Sequence, residues 1–203
     1  TDTTNSSTEW HPSIRIEFPR NDFDMAMVKL YALGKLPVPL GNPDTVRAIV
    51  QNVGKKTKTF KIYFKSTGAN HLIDSAAYTL NYLDEKIVNL PLLSPVNTGL
   101  DTLIAFIKGD QVTTNDTQSV IRLATSNIYS YKDPNRPIVG GIGFNGSTGD
   151  FVAKFYANSA KAINQIGVAF AGSNQKFKLG IWKADGKQGA PGTNVWTSDT
   201  LST

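Results

Sequence analysis

The chain has 203 residues, 40% hydrophobic and 18% charged, a balance that folds rather than staying disordered. It holds no cysteine, which excludes a disulfide framework, a thiolate metal site and a cysteine nucleophile. The formal net charge is +5, but the basic residues are scattered, with no RNA-binding or helix-turn-helix signature, and no apolar run of about 18 residues is present to cross a membrane as a helix.

The first 22 residues begin "TDTTNSSTEW", polar and without the basic and apolar regions of a signal peptide. They read as an extension or linker, so the chain is expected to be a piece of a longer protein or one whose leader has been removed. From residue 23 the pattern becomes two-residue alternation. "TVRAIVQN" (45–52) sets Val46, Ala48 and Val50 against Arg47 and Gln51, and "TFKIYFKS" (59–66) sets Phe60, Ile62 and Phe64 against Lys61, Tyr63 and Lys65. Each is a strand with one dry and one wet face. Further strands are predicted over 25–33, 76–83, 86–92, 100–108 and 117–125. Between them lie "NVGKK", "STGAN", "SPVNTG" and "GDQVTTND", all turn chemistry. About seven strands at this spacing predict an immunoglobulin-like sandwich. The lysines at 55, 56, 58, 61 and 65 read as a wet strand face that discourages edge pairing, in preference to a polyanion site.

From Ile128 the composition shifts. "YSYKDPNRP" reads as a linker, and the remainder is rich in glycine. "GIGFNG" (141–146) matches G-x-G-x-x-G on paper. A dinucleotide site needs a buried strand before it, a helix after it and an acid about 20 residues on. Here "PIVG" precedes it, Ile166 and Gly167 stand where the acid belongs, and the next acid after them is Asp185. Gly141, Gly143 and Gly146 therefore read as turn glycines before a strand, and no nucleotide cofactor is expected. "DFVAKFYAN" alternates, so strands over 150–157 and 162–171 are favoured over one helix. Two more are predicted at 176–184 and 193–198.

Candidate chemistry is sparse. His11 and His71 lack partners at metal spacing, and no G-x-S-x-G or H-E-x-x-H motif occurs. Glu9, Glu17 and Glu85 are the only glutamates; paired carboxylates remain open because aspartates could meet in space. No catalytic, cofactor or metal residue is therefore assigned. "NDFD" (21–24) and "GDQVTTND" (109–116) gather oxygen ligands without EF-hand spacing, so structural calcium is the one ion left open beside a turn-capping role. In "FKLGIWKAD", Phe177, Leu179 and Ile181 alternate together, leaving Trp182 on the other face with Lys178 and Gly180. Trp182, Tyr156 and Trp196 are the candidate glycan contacts, with a core role as the alternative.

Six of the thirteen aspartates are followed by Thr or Ser, and five of these continue with Thr, Val, Ala or Leu. This resembles the O-glycosylation signal D-[ST]-[AILVMT] of exported Bacteroidota proteins and marks Thr3, Thr45, Ser75, Thr102 and Thr200; turn capping is the alternative. N-x-[ST] triplets begin at Asn5, Asn115 and Asn145.

Residues 23–127 resemble the CARDB family of bacterial cell-adhesion-related immunoglobulin-like domains. The resemblance rests on a strand ending in N-x-G, here Asn52-Val53-Gly54, and on a later strand led by Gly99 that runs to an acidic loop at Asp110 and the pair Asn115-Asp116, where the family usually has a second Asn. Residues 128–203, through "LGIWKADGKQGAPGTNVW", resemble jelly-roll-like modules of exported Bacteroidota surface proteins, of which 76 residues would be an incomplete copy. The expected fold is all-β: an immunoglobulin-like β-sandwich followed by a second, incomplete jelly-roll-like β-sandwich. The resemblance implies a non-catalytic structural or adhesive module, extracellular or at the cell surface and exported by the type IX route. Its partners would be other domains of the same long chain, surface proteins or glycans. The alternative is a carbohydrate-binding accessory module of a secreted hydrolase.

Overall fold

The alternating strands find partners in two sheets. The computed structural model describes residues 20–38, 45–137, 140, 143, 147–170 and 172–203. A three-stranded sheet has the order β1 (Met25–Tyr31), β3 (Arg47–Asn52) and β6 (Glu85–Asn89), all antiparallel. A five-stranded sheet runs β2 (Lys35–Pro37), β8 (Thr117–Thr125), β7 (Gly99–Ile107), β4 (Lys58–Gly68) and β5 (Leu72–Leu80). It is antiparallel except for the pairing of β2 with β8, which is parallel. The all-β expectation holds, and β1 and β3 to β8 fall on the predicted segments. The extra strand β2 is too short and too close to proline to signal itself by periodicity.

One core lies between the two sheets. Val46, Val50, Ile62 and Phe64 are fully buried, and Phe60 is 7% exposed. Met25 and Val88 from the three-stranded sheet meet Leu103 and Ile107 from the five-stranded one in the same cluster. This is the packing in which both inner faces contribute alternate residues. In β1 the alternation slips at Val28, where a bulge between Met27 and Lys29 restores the inward direction for Leu30.

The lysines of β4 need a different explanation from edge protection. β4 is paired on both sides, with β5 and with β7. Lys61 is exposed and Lys65 half-buried on the outer face of an interior strand, where they solvate the sheet rather than guard its border.

Buried polar groups close the ends of the sandwich. Asp101 and Arg122, directly paired across β7 and β8, are both fully buried, with Arg122 Nη2 3.1 Å from Asp101 Oδ2. Asn70 completes this node: its backbone N–H donates to Asp101 Oδ1 at 2.7 Å, and its Oδ1 accepts from the N–H groups of Val96 and Asn97 at 2.8 and 2.9 Å. A buried pair held in this way fixes register more surely than it adds stability.

After Thr125 no described residue is buried. Two separate two-stranded ladders appear, β9 (Lys176–Phe177) with β12 (Leu201–Ser202), and β10 (Gly180–Trp182) with β11 (Asn194–Thr197). The strands predicted at 150–157 and 162–171 are not formed among the described residues, and neither is a helix. Alternation marks which face would be dry, but a strand exists only where another strand accepts its hydrogen bonds. Gly141 and Gly146 lie outside the described residues; Gly143 sits in open space, and no strand follows it over 147–156. No helix among the described residues is long and apolar enough to cross a membrane.

Candidate functional site

The features singled out by sequence converge on one pole of the sandwich. Asn52 ends β3 fully buried. Its Nδ2 donates to the carbonyls of Lys56 and Leu80 at 2.9 and 3.1 Å, and its Oδ1 accepts from Gly54 N–H at 3.1 Å. The amide thereby ties the β3–β4 turn to the end of β5. The next residues grip "NDFD": the N–H groups of Val53 and Gly54 both donate to the Asp24 carbonyl, and those of Lys55 and Lys56 donate to the carbonyls of Asn21 and Asp22. A Cβ on Gly54 would stand 2.7 Å from Asp24 N and 2.8 Å from Asp22 O, closer than real Cβ contacts come. The glycine of the N-x-G motif is thus required by close backbone approach.

The β7–β8 loop grips the same segment from the other side. Met25 N–H donates to Asp110 Oδ2 at 2.5 Å, and Phe23 N–H donates to Gln111 Oε1 at 2.8 Å. Asn115 Nδ2 reaches Asp24 Oδ1 at 2.9 Å, and Met27 N–H donates to the Asn115 carbonyl. The two oxygen-rich stretches, 85 or more residues apart in sequence, form one unit. Asp24 also lines a shallow depression of about 350 Å³ with Arg20, Asn21, Gln51, Val53 and Leu83.

The electrostatics of this pole are uneven. Asp22 pairs with Lys56 at 2.6 Å, and the hydrogen bond and charge of that lysine hold its carboxyl below the ordinary carboxylate range. Asp116 is 5% exposed, and burial, reinforced by the negative charges of Asp110 and Asp24, pushes its carboxyl up to about 6. Such an arrangement offers hard oxygen ligands, with the Asp110 and Asp24 charges bearing on Asp116. Among the described residues, no three carboxylate or imidazole groups already converge on one point as metal ligands would.

The aromatic candidates do not share a plane. Trp196 pairs across the ladder with Ile181, whereas Trp182 is the next residue along β10 and takes the other face. A Cβ on Gly180 would lie 2.1 Å from the Trp182 ring, so the indole folds back over that glycine. Tyr156 is 59% exposed under the Lys154 ammonium, 5.2 Å from its ring centre. The sequence missed a neighbouring assembly: Phe155 sits between Tyr129 and Tyr131 at ring separations of 5.4 and 5.1 Å. The Tyr131 hydroxyl and the Tyr129 hydroxyl donate to the carbonyls of Lys154 and Tyr156, and Lys154 Nζ reaches the Gly189 carbonyl at 2.8 Å. The "YSY" stretch, expected as part of a linker, is thus a clasp on residues 154–156.

Of the D-[ST] positions, Thr3 lies outside the described residues. Thr45 and Thr200 are exposed; Ser75 on β5 and Thr102 on β7 are half-buried. Asp101, which precedes Thr102, is spent inside the fold on Arg122.

No family model matches the chain, and the search of curated proteins returns no match. Among solved structures, the chain is similar to the crystal structure of the CARDB domain of the PF1109 protein from Pyrococcus furiosus, described as a complex with di-metal ions. The similarity has 12% sequence identity, covers 55% of this chain and 100% of that one, and has a TM-score of 0.44.

Proposed function

We propose that this chain is a non-catalytic structural module of a large secreted or cell-surface bacterial protein, in which the sandwich spaces and presents what lies on either side of it. The observation that carries this reading is the position of its entrance and exit. The chain enters at Asp24, beside Asn115 and the start of β8, and leaves after Thr125, at the other end of the same strand. Nine residues of strand separate these points by roughly 30 Å at about 3.3 Å per residue. Tension along the chain would load the parallel β2–β8 pair lengthwise, and this pair is reinforced where Lys35 and Ser130 exchange backbone hydrogen bonds at 2.9 and 3.0 Å. Adhesion through the loops, export by the type IX route and a glycan coat at Thr3, Thr45 and Thr200 belong to the same reading, with the exposed Thr45 and Thr200 hydroxyls in its favour.

The chain lacks cysteine, so Asn21→Cys and Asn127→Cys give unique handles for single-molecule pulling. A spacer breaks cooperatively in this geometry, at higher force than when pulled through Lys86→Cys and Asn127→Cys, which peels the outer strand β6. Gradual extension without a force peak would count against the module as a spacer. The glycan coat is checked separately by intact mass of protein purified from its native source. A mass equal to the bare sequence removes it.

A further inference from the structure

We propose that the carboxylate-rich pole binds a divalent cation of the calcium class, with Asp116, Asn115, Asp24 and Asp110 supplying oxygen ligands. Two buried acceptors carry the inference. Asp116 is 95% buried, and its Oδ1 is closed off from solvent without a hydrogen-bond donor. The side-chain oxygen of Asn115 is in the same condition. The Asn115 amide cannot simply be turned round. Its Nδ2 donates to Asp24 Oδ1 at 2.9 Å, and a flip would set a carbonyl oxygen against a carboxylate. Buried acceptors are almost always paired in folded proteins, so two exceptions at consecutive residues call for a partner.

The missing partner is positive. Asp116 faces the charges of Asp110 and Asp24, which oppose its ionisation. Ammonium groups near this pole lie against other partners: Lys56 with Asp22 at 2.6 Å, Lys55 also acting on Asp22, Lys58 over the Phe23 ring at 4.1 Å, and Lys108 over the Tyr63 ring at 4.8 Å. The available ligands are all oxygen, three of them on the 109–116 loop. That suits calcium, which takes six to eight oxygens in adaptable geometry, better than magnesium, which demands a near-ideal octahedron. Asp116 and Asn115 form the fixed part of the site. The Asp24 and Asp110 carboxylates now hold the Asn115 amide and the N–H groups of Met25 and Val112, and they turn onto the ion to complete the site.

The test uses the whole chain, stripped with a chelator, then titrated with calcium chloride by calorimetry and followed by thermal melting. Wild type is expected to give saturable heat and a higher melting temperature, with a weaker response to magnesium chloride. Asp116→Asn removes one ligand charge at constant shape and loses both responses. Asp74→Asn, at an exposed position of β5 outside the pole, keeps them. Should Asp116→Asn fail to fold, Asp24→Asn at its half-buried position is read in the same way. Melting unchanged between chelator and millimolar calcium, or an Asp116→Asn protein that responds like wild type, would overturn the proposal.

Discussion

Residues 23–127 and 128–203 carry similar alternation and meet opposite fates. In β4, Phe60, Ile62 and Phe64 are 7%, 0% and 0% exposed, whereas Phe151 and Val152 in the later region are 63% and 66% exposed. The difference is the second sheet. β4 is hydrogen-bonded on both sides, and its dry face meets β1, β3 and β6 across the core. The later ladders are two to four residues long, and among the described residues no sheet is laid over them. A lone two-stranded ribbon is marginal in water, because it fixes backbone without burying enough apolar surface to offset the lost entropy. Alternation thus specifies a face; burial requires something for that face to meet.

The largest expected effect breaks the comparison directly. Phe64→Ala should cost about 3–5 kcal/mol in urea unfolding, as cavity and lost transfer energy add. Ile163→Ala, at a position 61% exposed, should stay within about 0.5 kcal/mol. A comparable loss at Ile163 would mean that the two regions share a core.

A smaller effect sharpens the contrast in buried polar groups, with Asp101 paired with Arg122 at one pole and Asp116 Oδ1 without a donor at the other. The Asp116 carboxyl is raised from 3.8 to about 6 in the fold, so the folded state binds its proton more tightly than the unfolded chain does. Stability from this group is therefore greatest below pH 3.8 and falls as pH rises through about 6. The total is roughly 3 kcal/mol at most. In chelator, Asp116→Asn should flatten this part of the stability–pH curve and stabilise the protein at pH 7. Unchanged pH dependence in the variant would place the titration elsewhere.

The smallest effect is local. Gly180→Ala puts a methyl group where the Trp182 ring lies, so tryptophan fluorescence and near-ultraviolet dichroism should change. The melting of the sandwich should move by no more than about 0.5 kcal/mol. A large loss would show that the β10–β11 ladder braces the first region.

The sequence by itself determined the all-β class, seven of the eight sandwich strands and the inward residues, because side-chain period is a local property of the backbone. It also identified the pieces of this pole: "NDFD" and "GDQVTTND" stood out by their oxygen ligands, and Asn52-Val53-Gly54 through the resemblance to the CARDB family. Their convergence was decided by tertiary structure alone, since antiparallel closure brings together segments that no local pattern relates. The same holds for the partnering of Asp101 with Arg122, for the interior position of β4 with its exposed lysines, and for the clasp of Tyr129 and Tyr131 on Phe155. Each depends on which strand lies beside which, and that is fixed by the hydrogen bonds and buried area of the whole sandwich rather than by the residues of any one strand.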